Sequence, residues 1–484
     1  MKRRQFIRNV SAGAAGLAVS PLPFVQKANA QPTHPNVLFI LLEDAPNWFG
    51  CLGGHPDTMT PNIDELANRG CLFTNAHCAS PICNPSRTAL LTGQYPNTTG
   101  VFYNDDDWRE IIPNVVSMPR YFLDHDYFTV RSGKVYHGNF DEREVWNQYI
   151  DAKATHNLPG EEPYLPGHPW NGLNYLLEGD GDATGTQFFN WGATDAPEAI
   201  MTDFRRVRNL NEMLQDGMRE PFLMFYGTHK AHFPAIAPRR VMERFNIAEV
   251  TLPPVNPTDL DDLPPSAFNF IEPWHHEDVV NGKQWHKAVA AYLATIHYMD
   301  EMVGRLLNQF DHSPHANNTI VVLVADHGFH LGEKMHWRKA TLWNESSSVI
   351  MTVLAPGVTT PGSVCHQPVN MLDLYPTLVD LCNLPANPAN EGQSLRPLLE
   401  NPASVREEPS IMTLEAGNHA VITEQWHYIH YANGDRELYD RNVDPQQWDN
   451  LATNPDYEPI MQQLRDWIPD DWIPPTDAIA PRAR

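Results

Sequence analysis

The stretch from Pro81 to Gly93 reads PICNPSRTALLTG and sets one cysteine, Cys83, just ahead of Pro85, Ser86 and Arg87. Proline suits the first turn of a helix, because the N–H it lacks is one of those left unbonded there. The stretch therefore predicts a loop that becomes a helix at Pro85 or Ser86. A helix N-terminus with an arginine one turn in attracts anions, and the same positive field lowers the pKa of a thiol. Two chemistries follow: a reactive cysteine, or a loop that holds an anionic group. Other chemistry-bearing residues stand where apolar runs stop. PNVLFILLED ends in Glu43 and Asp44, EPFLMFYGTH ends in His229 with KAHFP after it, and NNTIVVLVADHG carries Asp326 and His327.

Continuous apolar runs of this kind predict buried parallel strands, whose C-terminal ends are where ligands bind in open sheets. Helices fall between them. PNIDELANRG has proline at its start and glycine as its stop, the run 288–310 has apolar residues at helical spacing, and MLDLYPTLVDLCNL is a further helix. The alternation predicts an α/β fold, a large mostly parallel sheet flanked by helices. This catalytic domain is expected over residues 33–395. Beyond it the segment 410–440 alternates and contains Asn-Gly and Gly-Asp turns. It predicts short antiparallel strands, with a final helix around Pro455 to Trp467, in a smaller α+β subdomain over 396–475.

The chain has 484 residues and a net charge of −25, which argues against nucleic acid or an anionic membrane as a partner. A polyanionic substrate would need a local basic pocket. With 43 prolines, 13 tryptophans and only 19% charged residues, long ordered loops are expected rather than disorder. Residues 1–30 read as an export signal. Lys2, Arg3, Arg4 and Arg8 precede a mild apolar stretch, and Ala28-Asn29-Ala30 offers a cleavage site. Arg3-Arg4-Gln5-Phe6-Ile7 resembles the bacterial twin-arginine signal. A periplasmic or secreted protein is expected. No stable membrane insertion is expected, because no segment carries about 20 uninterrupted apolar residues. The six cysteines fit neither a zinc site nor a disulfide scaffold.

Cys83-Asn84-Pro85-Ser86-Arg87 followed by Leu91-Thr92-Gly93 resembles the C-x-P-S-R-x-x-x-L-T-G signature of the type I sulfatases, members of the alkaline phosphatase superfamily. GKVYH (Gly133–His137), HKAHFP (His229–Pro234) and ADHGFHLGEKMHWRKATLWNESS (Ala325–Ser347) are similar to segments of the iduronate-2-sulfatase branch. The resemblance implies a sulfuric ester hydrolase acting on a sulfated carbohydrate. Cys83 would be converted to formylglycine by a formylglycine-generating maturation enzyme. Carried over by motif, Glu43, Asp44, the modified Cys83, Asp326 and His327 would bind one Ca2+, which favours hard oxygen ligands. Glu43 stands where the family usually has aspartate, and His327 where many members have asparagine.

By the same analogy Arg87, Lys134, His137, His232 and Lys339 would supply positive charge and proton transfer. His232 or Lys339 would protonate the leaving alcohol, and His137 would act as base. His229, Lys230 and Asn104 would line the substrate side. Trp48 and Trp337 could stack on a sugar or simply pack, and WHHEDVV (Trp274–Val280) reads as an exposed loop. The competing functions are a phosphodiesterase or phosphonate monoester hydrolase of the same superfamily, and a sulfated-glycan binding protein without turnover.

Overall fold

The computed structural model describes residues 34–150 and 189–473. The proposed export signal lies outside the described residues.

Eight strands form the main sheet. From edge to edge they are Ser363–Cys365, Cys71–Phe73, Met351–Leu354, Thr319–Ala325, Asn36–Leu42, Phe222–Gly227, Phe128–Gly133 and Gln148–Ile150. All neighbours are parallel except Met351–Leu354, which runs antiparallel to both of its own. The three central apolar runs are buried at every residue. That is why they lack the alternation of a half-exposed strand. The fold is therefore the mixed α/β one expected.

The helix Trp285–Asp311 packs against Pro61–Arg69 and Thr202–Asp216. Its Asp300 caps the helix Pro61–Arg69 from outside, accepting from the N–H groups of Ile63 at 2.8 Å and Asn62 at 3.1 Å. Burial lifts Asp300 to a pKa of about 6 in this role.

A second sheet of four antiparallel strands follows: Ser410–Thr413, His419–Ile422, Trp426–His430 and Arg436–Asp440. Its alternation serves two cores at once. Ala420, Ile422, Ile429 and Tyr439 face the main core. Val421, Tyr428 and Leu438 face Met461 and Leu464 on the helix Glu458–Arg465.

Three local expectations are corrected. The signature helix starts at Cys83 rather than Pro85 or Ser86, and runs to Thr92 with all ten residues buried. Trp274–Val280 is not an exposed loop. It lies in the helix Pro273–Asn281 with His275 and His276 buried. The final helix is shorter than expected, Glu458–Arg465 after a single tight turn at Pro455–Tyr457.

Candidate active site

Asn36–Leu42 and Thr319–Ala325 are paired in parallel up to Leu42 and Ala325. The residues that follow therefore leave the sheet side by side. The Asp326 N–H continues the ladder to the Leu42 carbonyl at 3.0 Å, and the Asp44 N–H donates to Asp326 Oδ1 at 2.9 Å. Asp44 has a left-handed backbone with φ +47°, a conformation aspartate tolerates better than most residues. The next strands reach the same edge through glycines. A Cβ on Gly227 would stand 1.9 Å from the Lys134 carbonyl oxygen, so only glycine lets these two strand ends approach.

The signature helix points its first turn at these acids. Arg87 donates from Nε to Asp326 Oδ2 at 2.9 Å, with Nη2 2.8 Å from the same oxygen, and from Nη1 to the Lys134 carbonyl at 2.6 Å. Ser86 donates to the Asp326 carbonyl. The Asn84 N–H donates to Asn104 Oδ1 at 3.0 Å, and the Asn84 amide donates to the carbonyls of Tyr103 and Asp106. Asn104 is thus engaged in fixing the helix start.

Asp44, Cys83, Asp326 and His327 offer ligand atoms that lie within 4.8 Å of one another, all buried. Lys339 Nζ enters the same space, 2.7 Å from Asp44 Oδ1 and 2.8 Å from Cys83 Sγ, while His327 Nε2 is 3.3 Å from that sulfur. Burial opposes ionisation of Asp44, yet Lys339, His327 and Arg87 hold its pKa below the usual carboxylate value. Asp326 is likewise held low by His327 and Arg87 against the effect of burial. Burial lowers the His327 pKa against the opposing pull of Asp326 and Asp44. Its Nδ1 donates to the Gly328 carbonyl at 2.9 Å, which leaves Nε2 as the nitrogen that faces the acids.

This donor set fits a divalent cation: two ionised carboxylates, one imidazole nitrogen and residue 83. Its nitrogen departs from the all-oxygen shell typical of Ca2+. Glu43 lies outside this group but in an adjoining one with Asp44 and His232, whose ligand atoms also lie within 4.8 Å of one another. It forms an ion pair with Lys134 and puts Oε2 3.5 Å from His229 Nδ1.

The expectation that the helix start lowers the Cys83 pKa is reversed. Burial, with Asp44 and Asp326 nearby, outweighs Lys339 and Arg87 and pushes the thiol up to about 12. The unmodified side chain is thus a poor thiolate nucleophile.

His137 is half-buried, its Nδ1 makes no hydrogen bond among the described residues, and burial with Lys134 and Lys339 lowers its pKa to about 3. His232 donates from Nδ1 to its neighbour's carbonyl, that of Phe233, and its Nε2 lies 3.9 Å from Asp44 Oδ2. Burial and the two lysines keep this ring neutral as well. His229 stacks on His232 with centroids 5.9 Å apart.

Lys230 departs from the substrate-lining role expected of it. It is fully buried, with Nζ 3.5 Å from the Pro234 carbonyl. Trp48 and Trp337 are buried packing residues; Trp337 stacks on Trp191 at 6.0 Å.

Two supports of the site are assigned no role from the sequence. Asp203 accepts from the N–H groups of His229 at 3.0 Å and Lys230 at 3.1 Å, fixing the turn that presents both histidines. Lys334 anchors the loop bearing Lys339, through Asp259 at 2.7 Å and the Gln447 carbonyl. An acid in a helix's first turn and a lysine in a polar loop look ordinary in the sequence, and nothing local marks either as a support.

The sheet order and this constellation define a hydrolase of the sulfatase fold. The family model described as Sulfatase matches residues 35–384, and the chain belongs to that family. A model described as N-sulphoglucosamine sulphohydrolase, C-terminal, matches residues 332–471. A sulfatase of Formosa agariphila is 31% identical over 90% of this chain and 86% of its own length. Human iduronate 2-sulfatase is 28% identical over 75% of this chain and 71% of its own length. A solved structure bound to its substrate D-glucosamine-2-N,6-O-disulfate superposes with a TM-score of 0.69 at 19% identity. It covers 90% of this chain and 96% of its own. The protein is a sulfatase enzyme.

Proposed function

We propose that this sulfatase removes sulfate from a sulfated carbohydrate, with formylglycine derived from Cys83 and one bound Ca2+. The observation that carries the proposal is the position of Cys83. Its side chain sits at the first turn of a buried helix, against Lys339, His327 and Asp44, where a thiol is a poor nucleophile but an oxidised residue would meet a cation and two acids. Human iduronate 2-sulfatase by its name, and the solved neighbour by its bound substrate D-glucosamine-2-N,6-O-disulfate, act on sulfated sugars, which supports the substrate class. The N-terminal pattern supports export to the periplasm or beyond. No helix among the described residues is long and apolar enough to cross a membrane.

Formylglycine, made by a maturation enzyme, supplies a hydroxyl nucleophile once hydrated. Asp44, Asp326, His327 and residue 83 would hold the metal, which supplies positive charge against the sulfate oxygens. The rest is work for this chain's own side chains. Arg87, Lys134 and Lys339 stabilise charge on the sulfate. His137, neutral and with Nδ1 unbonded, serves as the base. The alcohol receives its proton from Lys339 or His232, and of the two Lys339 carries one at neutral pH. Burial works against its ammonium, but Asp44 and Asp326 hold its pKa above the usual value.

Mass spectrometry of the tryptic peptide 70–87 from an active preparation should show the aldehyde or its hydrate at residue 83. Sulfate release from sulfated sugars should fall on chelation and return best with Ca2+. Full activity with an unmodified thiol would overturn the mechanism. Cleavage of phosphate diesters or phosphonate monoesters in place of sulfate esters would overturn the substrate class.

A further inference from the structure

A cleft of about 520 Å³ opens beside the reaction centre, sharing Lys134, His137 and His229 with it. Its lining continues through Arg131, Arg143 and Arg206, with Asp141 as the one acid in that lining. In a chain of net charge −25, cations gathered in one concavity draw anions toward it.

Most of these cations already have carboxylates. Lys134 pairs with Glu43, Arg206 lies 3.2 Å from Asp203, and Arg131 pairs with Asp141 while donating to the Tyr149 hydroxyl. Arg143 differs. It is exposed, and among the described residues it makes no ion pair. Its guanidinium lies 4.7 Å from the Tyr149 ring centroid, and that of Arg131 lies 4.6 Å from the same centroid. One ring thus gathers two guanidinium groups, and a single carboxylate balances only one of them. Among the described residues the buried Arg131 Nε has no hydrogen-bond partner. A planar, charged fork held in place beside a second one is suited to a carboxylate or sulfate oxygen pair.

We infer that the cleft is a subsite for a second anionic group, with Arg143 as its recognition residue. That group is a carboxylate or a sulfate on the sugar unit next to the one carrying the scissile sulfate. The inference rests on the sulfatase reading of the reaction centre. It also explains how an acidic protein accepts a substrate of like sign: the approach is guided by a local cationic wall.

The test uses three disaccharides with the same scissile sulfate and a neighbouring unit that is a uronate, a second sulfated sugar, or a neutral sugar. The native enzyme should favour a charged neighbour by about tenfold in kcat/KM, the order of one charge-assisted contact. Arg143→Gln should erase most of that preference, chiefly through KM. Loss confined to the uronate or to the disulfated substrate identifies the anion. Equal kcat/KM on all three in the native enzyme, or an equal fall on all three in R143Q, overturns the subsite. A calorimetric titration with a sulfate-free uronate disaccharide reads the subsite without turnover. Weaker binding by R143Q supports the carboxylate form even if no sulfate is released, and equal binding overturns it. Absence of sulfate release from every substrate overturns the catalytic reading instead.

Discussion

Asp44 and Asp326 reach the reaction centre from adjacent parallel strands, whereas Lys339 reaches it from an irregular loop. The acids are placed by a repeating ladder, and one further hydrogen bond, Asp44 N–H to Asp326, fixes their spacing. The loop around Lys339 has left-handed backbone at Lys334, Met335, Arg338 and Ala340, each with φ between 50° and 78°. Such conformations cost on the order of 1–3 kcal/mol each and persist only where surrounding contacts over-determine them. Here those contacts are distant in sequence: Asp259, Gln447, and the Pro81 carbonyl that accepts from the Ala340 N–H at 3.2 Å. Charge at one centre is thus delivered by regular structure on one side and by stored strain on the other. The two sides should fail differently.

The largest effect should come from the strand side. Asp326→Asn removes a buried charge that faces Arg87 and His327. Activity should fall on the order of 10³-fold, while circular dichroism changes little, because the ladder that places residue 326 survives. A large loss of stability with activity retained would erase the distinction between the two sides.

The loop side should lose stability and activity together. Lys334→Met leaves Asp259 buried at 1% side-chain exposure without its partner, a loss of about 3–5 kcal/mol in denaturant unfolding. Displacing Lys339 by about 1 Å should cost up to about 10²-fold in kcat/KM. Adding Asp259→Leu should recover much of the stability but not the activity. Recovery of both would mean that Lys334 acts only through charge balance.

A smaller effect separates the loop by pH. Burial, with Glu345 nearby, lifts Glu333 to a pKa of about 8. Burial likewise lifts Glu345 to about 7, and Asp259 to about 6 despite Lys334. The native state therefore holds protons that the unfolded chain has already released. Stability should fall as pH rises from about 4.5 to about 8, the window between the unfolded and folded values. Glu333→Gln keeps an acceptor for the Leu331 N–H and removes the titration. It should raise the Tm by about 2–4 °C at pH 8 and leave it unchanged near pH 4.5. Calorimetry across that range reads the difference; a parallel shift at both pH values would assign the gain to packing.

Legibility in the sequence follows the same division. The buried strands, the acids at their ends and the cysteine ahead of Pro-Ser-Arg could all be read, because periodicity and a compact motif are local properties. The helix start at Cys83 was misplaced by two or three residues, since proline is equally comfortable inside a first turn and at its very start. The thiol's raised pKa was missed because a sequence displays the cations near Cys83 but not its depth. Lys230 reads as a pocket cation beside His229 and His232, yet burial turns it away from the cleft. Asp203, Asp259 and Gln447 could not be found at all, since each acts on a partner far along the chain.

The grip of the Gln447 carbonyl on Lys334 also has a consequence in time. During synthesis the strands carrying Asp44 and Asp326 emerge long before residue 447, and they can pair as soon as both are available. The loop that presents Lys339 cannot settle until the C-terminal sheet has been made and docked. A chain truncated near residue 400 loses Ala420, Ile422, Ile429 and Tyr439 from the main core as well as the Gln447 carbonyl, and should release no sulfate; measurable turnover would show that the late segment is dispensable. The loop that presents Lys339 thus gains its anchor only after the segment around residue 447 has been made.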